Sequence, residues 1–145
     1  MTRADATSLV VAATEAWASD PASDVMWAGE HDGRRGIRIR QACREATTVW
    51  FTIGDHTLGF EAYLLPAPPH HAKAVYRHCL ARSYRSWPAA VGIDRDGDLY
   101  VHGRMRLAAL TATALDEVVA AVFETVELSF PTLVRLGYAP REKSP

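Results

Sequence analysis

Three aspartates alternate in the segment Asp94-Arg95-Asp96-Gly97-Asp98, a spacing that could offer carboxylate oxygens to a calcium ion. A calcium-binding EF-hand loop needs glycine at its sixth position and glutamate at its twelfth. Here Gly97 is fourth and Met105 is twelfth. Asp-Gly between two alternating runs is instead a strong signal for a β-hairpin turn. We therefore predict a turn here and no divalent metal.

The histidines and cysteines lack the spacing of a zinc site or of a nucleophile paired with a base. His71 and His78 would lie about 10 Å apart along a helix, because each residue advances the helix by about 1.5 Å. Cys43 and Cys79 are distant in sequence and form no C-x-x-C pair. Cys79 and its neighbour His78 do not face each other on a helix. The sequence thus predicts no metal, no cofactor and no catalytic residue.

Aromatic and basic side chains recur on alternate residues of the predicted strands. The six that we place on one surface are Arg38, Arg40, Trp50, Tyr63, Tyr100 and Arg104. Aromatic rings beside arginines can stack on single-stranded nucleic acid. No RNP-type motif is present, however, and the net charge is −1. The pattern therefore favours a contact surface for a peptide or for a second copy of the chain.

Hydrophobic periodicity indicates the elements that position these side chains. Apolar residues at helical intervals predict helices over residues 6–17, from residue 72 to about Tyr84, and from Thr111 or Thr113 to Gly137, with a kink or restart at Pro131. Alternation predicts five strands, around residues 37–40, 48–53, 58–64, 91–93 and 99–103. The glycines at 29, 33 and 36 are interpreted as turn residues before the first strand.

The order α-β-β-β-α-β-β-α predicts an α+β fold, with an antiparallel five-stranded sheet and helices on one face. The face under the helices is expected to carry Ile37, Ile39, Val49, Phe51, Ile53, Leu58, Phe60, Leu64, Val91, Ile93, Leu99 and Val101. We expect Phe60, Leu80, Leu99 and Val122 to belong to one core. The aromatic and basic residues then occupy the uncovered face.

Length and composition are those of an ordinary globular protein, with 145 residues of which 48% are hydrophobic. We predict a single domain over residues 1–138 and a flexible tail over residues 139–145. Glu15 ends the first apolar stretch before a signal-peptide core could form. No other apolar run approaches the roughly 20 residues that cross a bilayer. A cytoplasmic location is expected.

Several short motifs occur in an order that resembles the actinobacterial branch of the YbjN family. They are LLPAP at 64–68, AVYR at 74–77, VGIDRDGDLYV at 91–101, LD at 115–116 and LGY at 136–138. The likeness covers about residues 30 to 138, although Ser83 stands where the family pattern leads us to expect Asn. The order of elements is similar to that of type III secretion chaperones.

The resemblance implies a sensory or regulatory protein, and the chaperone relatives bind extended segments of partner proteins as homodimers. We therefore predict a non-enzymatic, chaperone-like or regulatory adaptor that binds protein segments and forms a homodimer. The six residues of the uncovered face would be its partner or dimer surface. The alternatives are a nucleic-acid-binding regulator that uses the same face and an enzyme with a dispersed site.

Overall fold

A computed structural model describes residues 1–139 of the chain. All but the first residue of the predicted tail, 139–145, lies outside the described residues. The elements in chain order are α1 (Arg3–Ser19), β1 (Val25–His31), β2 (Arg34–Arg40), β3 (Ala46–Ile53), β4 (Thr57–Leu65), α2 (Ala72–Ser83), β5 (Ala90–Ile93), β6 (Leu99–Arg106), a 3₁₀ turn (Leu107–Ala109) and α3 (Ala112–Gly137).

Side chains fix the beginnings of the first and last helices. Thr2 and Asp5 form a reciprocal capping box at the start of α1, in which the Asp5 amide donates to Thr2 Oγ1 at 3.1 Å. At the start of α3, Thr111 Oγ1 accepts a hydrogen bond from the Ala114 amide at 3.0 Å. Thr111 is thus the cap of α3. The predicted restart at Pro131 is wrong, because α3 continues through it to Gly137.

The sheet has six antiparallel strands in the order β1-β2-β3-β4-β6-β5, so the predicted count of five is wrong. The missed strand is β1, where a bulge between Val25 and Trp27 breaks the alternation of buried and exposed residues. Asp32 and Gly33 join β1 to β2, both at positive φ, as in a two-residue hairpin turn.

The core lies between the three helices and one face of the sheet. Phe60, Leu99 and Val122 are buried in it, as expected. Two expectations are wrong, because Leu80 is 71% exposed and Ile93, the last residue of β5, is 55% exposed. The buried stripe of α2 contains Val75 and Cys79, and Leu80 lies about 100° around the helix from Cys79.

Ser83, the last residue of α2, attaches that helix to the edge of the sheet. Its Oγ accepts a hydrogen bond from the Val91 amide at 2.9 Å and donates one to the Val91 carbonyl at 3.1 Å. Both backbone groups of Val91 are therefore satisfied by a side chain outside the sheet.

Glu127 of α3 holds the connection between β2 and β3. Its Oε1 accepts hydrogen bonds from Gln41 Nε2 and from the Ala42 amide, both at 2.6 Å, and from the Cys43 amide at 3.1 Å. Burial alone would raise the pKa of the Glu127 carboxyl, but these donors together hold it below the ordinary value. This carboxylate therefore serves the fold.

Candidate functional site

Strand pairing places all six residues of the predicted contact surface on the sheet face that the helices leave uncovered, which we call the open face. Tyr63 of β4 lies opposite Tyr100 of β6, and Arg104 lies opposite Gly59. Trp50 lies opposite Glu61. The positions of Arg38 and Arg40 follow from the pairing of β2 with β3.

One part of the open face is an aromatic cluster around Trp50. The Trp27 ring meets the Trp50 ring edge-on with centroids 6.3 Å apart, and the His31 ring lies 6.0 Å away. The Arg34 guanidinium lies 5.4 Å from the centroid of the Trp50 ring and forms an ion pair with Glu61 at 2.7 Å. Trp27, His31, Arg34 and Trp50 form what we call the Trp50 cluster.

The second part is a pair of tyrosines. The Tyr63 and Tyr100 rings meet edge-on with centroids 5.7 Å apart. Burial first, and then the neighbouring carboxylates of Asp94 and Asp98, raise the pKa of both phenols above the ordinary value. At neutral pH both hydroxyls are therefore uncharged and can donate hydrogen bonds.

Glycines under three rings of the open face let those rings approach the backbone of the sheet closely. The ring of Trp27 covers Gly29, the ring of Trp50 covers Gly36 and the ring of His102 covers Gly92. A Cβ atom at Gly36 would lie 2.5 Å from the Trp50 ring, so only glycine leaves room for this arrangement. These rings therefore lie in close contact with the backbone of the sheet.

Two shallow cavities lie along the open face, on either side of Glu61. One of about 340 Å³ is lined by Arg34, Arg44, Ala46, Thr48, Trp50, Glu61, Tyr63 and Tyr100. The other, of about 560 Å³, includes Gly59, Glu61, Tyr100, His102 and Arg104 in its lining. Glu61 and Tyr100 line both, so the two cavities are adjacent.

The three arginines of the predicted contact surface do not all line these cavities. Arg104 lines the larger cavity, but Arg38 and Arg40 line neither. Arg38 instead lies 3.8 Å from the Glu45 carboxylate. Arg34 takes the basic position beside Trp50.

Sequence reasoning missed Trp27 and His31 because it missed β1, and it missed Arg34 because it began β2 at residue 37, three residues too late. The signal that could have found them is the Asp32-Gly33 dipeptide, which is typical of a two-residue hairpin turn. That turn makes residues 25–31 the partner strand of β2 and places Trp27 on the face of Arg38.

The segment with three aspartates forms the predicted turn between β5 and β6. The Asp94 carboxylate accepts hydrogen bonds from the amides of Asp96 and Asp98, at 2.9 and 3.0 Å. Asp98 accepts one from the Ala67 amide at 2.8 Å. These carboxylates hold the turn, and no group of three His, Cys, Asp or Glu residues that could hold a metal ion occurs within residues 1–139.

Both cysteines are free, and burial suppresses the reactivity of their thiols. Burial raises the pKa of Cys79 to about 11. Burial, followed by the charge of Glu127, also raises the pKa of Cys43. Because the thiolate is the nucleophilic form, neither residue is activated for catalysis. In the described part of the chain, no helix is both long and apolar enough to span a membrane.

Two solved structures have this arrangement of helices and strands. A chain of the ExsC–ExsE complex matches with a TM-score of 0.59 at 15% identity, covering 97% of this chain and 98% of that chain. A chain of the heterodimeric ExoU–SpcU complex, from the type III secretion system of Pseudomonas aeruginosa, matches with a TM-score of 0.54 at 20% identity, covering 71% and 83%. These matches confirm the type III secretion chaperone-like fold.

Two mycobacterial proteins are similar in sequence. The chain is 36% identical over 114 residues to the uncharacterized protein ML2442 of Mycobacterium leprae, which is 77% of this chain and 62% of that protein. It is 34% identical over 87 residues to the uncharacterized protein Rv0487 of Mycobacterium tuberculosis, which is 60% of this chain and 48% of that protein. The chain thus spans about three fifths and about half of the length of these relatives.

The comparison with family profiles agrees with the motifs found in the sequence. Residues 13–135 match the profile of the YbjN family, which has the description "Putative bacterial sensory transduction regulator". The match covers every element from the end of α1 to the last turn of α3. The chain therefore belongs to the YbjN family.

Proposed function

We propose that this protein is a non-enzymatic adaptor that binds an extended segment of a partner protein on its open face and works as a homodimer in the cytoplasm. The observation that carries the proposal is the set of aromatic rings on a sheet face that no helix covers. The two solved structures of this fold are both protein complexes by their titles, which supports a protein partner.

Two aromatic side chains of the open face are largely accessible to a partner. Trp27 is 41% exposed and Tyr63 is 46% exposed, although both lie within strands. Tryptophan and tyrosine are enriched among the residues that contribute most to protein–protein binding. The Trp50 cluster and the tyrosine pair therefore have the chemistry of binding hot spots.

The polar groups of the open face suit the backbone of an extended peptide. The tyrosine hydroxyls are uncharged donors, and Glu61 supplies an acceptor between the two cavities. A peptide strand places successive side chains on opposite sides. A segment lying across Glu61 can therefore put apolar side chains against the rings and still pair its own polar groups.

We expect Trp50→Ala and Tyr100→Ala to weaken binding to the captured partner about 30-fold or more, while thermal unfolding changes by no more than about 1 kcal/mol. Tagged wild-type chain would capture partners from a lysate of its source bacterium, and the captured protein would then be titrated with each variant. Leu80→Ala, a change at an exposed residue of the helical layer, is the matched control. If Trp50→Ala unfolds the chain instead, the ring is a core residue.

We expect light scattering of the purified chain to give twice the 15.9 kDa mass of one chain. Beyond the open face, Tyr84 and Trp87 are almost fully exposed, which leaves further apolar area for a second copy. A mass of one chain at micromolar concentration would remove the dimer from the proposal. If Trp50→Ala dissociates the dimer, the open face is the dimer surface.

The second candidate, binding of single-stranded nucleic acid, rests on the stacking of Arg34 over Trp50. The positive charge of Arg34 is offset by Glu61, with which it forms an ion pair. Oligonucleotide binding that weakens steeply with salt would favour this candidate, because phosphate contacts release counterions.

A further inference from the structure

A groove of about 530 Å³ lies on the other side of the molecule, away from the open face. The end of α1, the strands β1 and β2, and the middle of α3 form its walls, and we call it the α1–α3 groove. Its apolar lining includes Trp17, Val25, Ile39, Val119, Phe123 and Leu128. Leu128 is more than half exposed, so apolar surface is accessible there.

Every charged residue that lines the α1–α3 groove is acidic. They are Asp24, Asp116, Glu124 and Glu127, and no Lys, Arg or His is present in the lining. The chain as a whole has 17 acidic and 16 basic residues, so this one-sided charge is local. Glu127 is occupied by the β2–β3 connection. Within residues 1–139, the other three form no ion pair within 4.0 Å.

We infer that the α1–α3 groove binds a basic amphipathic segment of a partner protein, with apolar side chains on its floor and lysines or arginines against its carboxylates. An amphipathic helix that lays its apolar face into a groove is a recurrent mode of peptide recognition. The carboxylates attract a cationic segment and repel an anionic one. The same negative charge disfavours binding of nucleic acid or of anionic lipid in the groove.

This inference is independent of the proposed function, because it uses no residue of the open face. The groove and the open face lie on opposite sides of the sheet, so one partner or two can occupy them. Substitutions in one surface leave the other intact, and each proposal can therefore fail separately.

The probe is a synthetic amphipathic peptide with leucines at helical i, i+3, i+4 and i+7 spacing and lysines at the other positions, labelled with fluorescein. A second peptide has glutamate in place of every lysine. Fluorescence anisotropy with the full chain measures both affinities at low and at moderate ionic strength. We expect the lysine peptide to bind at least tenfold more tightly, with a preference that shrinks as salt screens the charges.

Ala120 provides the means to block the groove. It lies in the lining, and it is exposed on α3, so Ala120→Arg fills the groove without disturbing the core. We expect this variant to bind the lysine peptide at least tenfold more weakly. Ala108→Arg makes the same change of charge and size at an exposed position outside the groove and is the control. Circular dichroism verifies that both variants are folded.

A charge-neutral variant tests the acidic lining itself. The triple change Asp24→Asn, Asp116→Asn and Glu124→Gln should abolish the preference for the lysine peptide over the glutamate peptide. The triple change Glu30→Gln, Asp55→Asn and Glu117→Gln removes the same charge from exposed positions outside the groove and should retain the preference. The inference is overturned if Ala120→Arg binds as the wild type does, or if both triple variants behave alike. Trp50→Ala should leave this affinity unchanged whether or not the open face binds a partner.

Discussion

Phe60→Ala is expected to lower the free energy of unfolding by about 3–5 kcal/mol. Phe60 is 3% exposed in the middle of β4, opposite Phe51 on one side and Gly103 on the other. Removing the ring loses its burial and leaves a cavity in the middle of the sheet, where neighbouring strands cannot close in. Urea denaturation followed by circular dichroism measures the loss.

Leu80→Ala is the matched control, since the sequence pattern placed Leu80 in the same core but the structure exposes it. We expect a change within about 0.5 kcal/mol, because surface substitutions away from special features have small effects. If both variants lost the same amount, α2 would be rotated about its axis relative to the structure. A small loss for Phe60→Ala would mean that the helices do not cover this face.

Gly103→Val is expected to lower the free energy of unfolding by about 3 kcal/mol or more. Gly103 lies in β6 beneath the ring of Phe60, and a Cβ atom there would meet that ring. The same atom would lie 2.5 Å from the carbonyl oxygen of Pro88. Because a backbone carbonyl cannot rotate away as a flexible side chain can, the strand itself would have to move. Thermal melting gives the difference from the wild type.

Gly59→Val is the control for that substitution, since Gly59 lies one residue before Phe60 on the neighbouring strand. A Cβ atom at Gly59 would have no neighbour nearer than 3.9 Å, the carbonyl oxygen of Thr52. Valine favours extended backbone more than glycine does, so this variant should be neutral or slightly stabilised. Equal destabilisation by both variants would contradict the assignment of Gly103 to the covered face and of Gly59 to the open face.

Periodicity predicted the elements whose two sides differ sharply in polarity. The five strands with regular alternation were found, and their alternation also separated the covered face from the open face. β1 was missed because its bulge places Met26 and Trp27 both on the exposed side after Val25. The strand also lies at the sheet edge and ends in Glu30 and His31, which are polar. Leu80 was misplaced because apolar character alone does not fix the rotation of a helix.

The open face could be predicted in part because a strand has only two faces. Alternation within each strand placed Trp50, Tyr63 and Tyr100 together. It could not identify Arg34 as the cation over Trp50, since that contact depends on pairing between strands. The α1–α3 groove was beyond sequence reasoning, because residues from four separate elements form it and no local pattern links Trp17 to Phe123.

The attachment of Ser83 to Val91 makes the two ends of the sheet unequal in their capacity for polymerisation. An edge strand recruits another strand through its unpaired amide and carbonyl groups. At β5 the central pair of these groups is already occupied by a serine hydroxyl, so this end resists extension. At the opposite end, the Ser23 hydroxyl accepts a hydrogen bond from the Val25 amide of β1 at 3.1 Å, so the block there engages an amide alone. Addition of a further strand is therefore hindered at both edges of the sheet, and more completely at β5, where the serine occupies both an amide and a carbonyl.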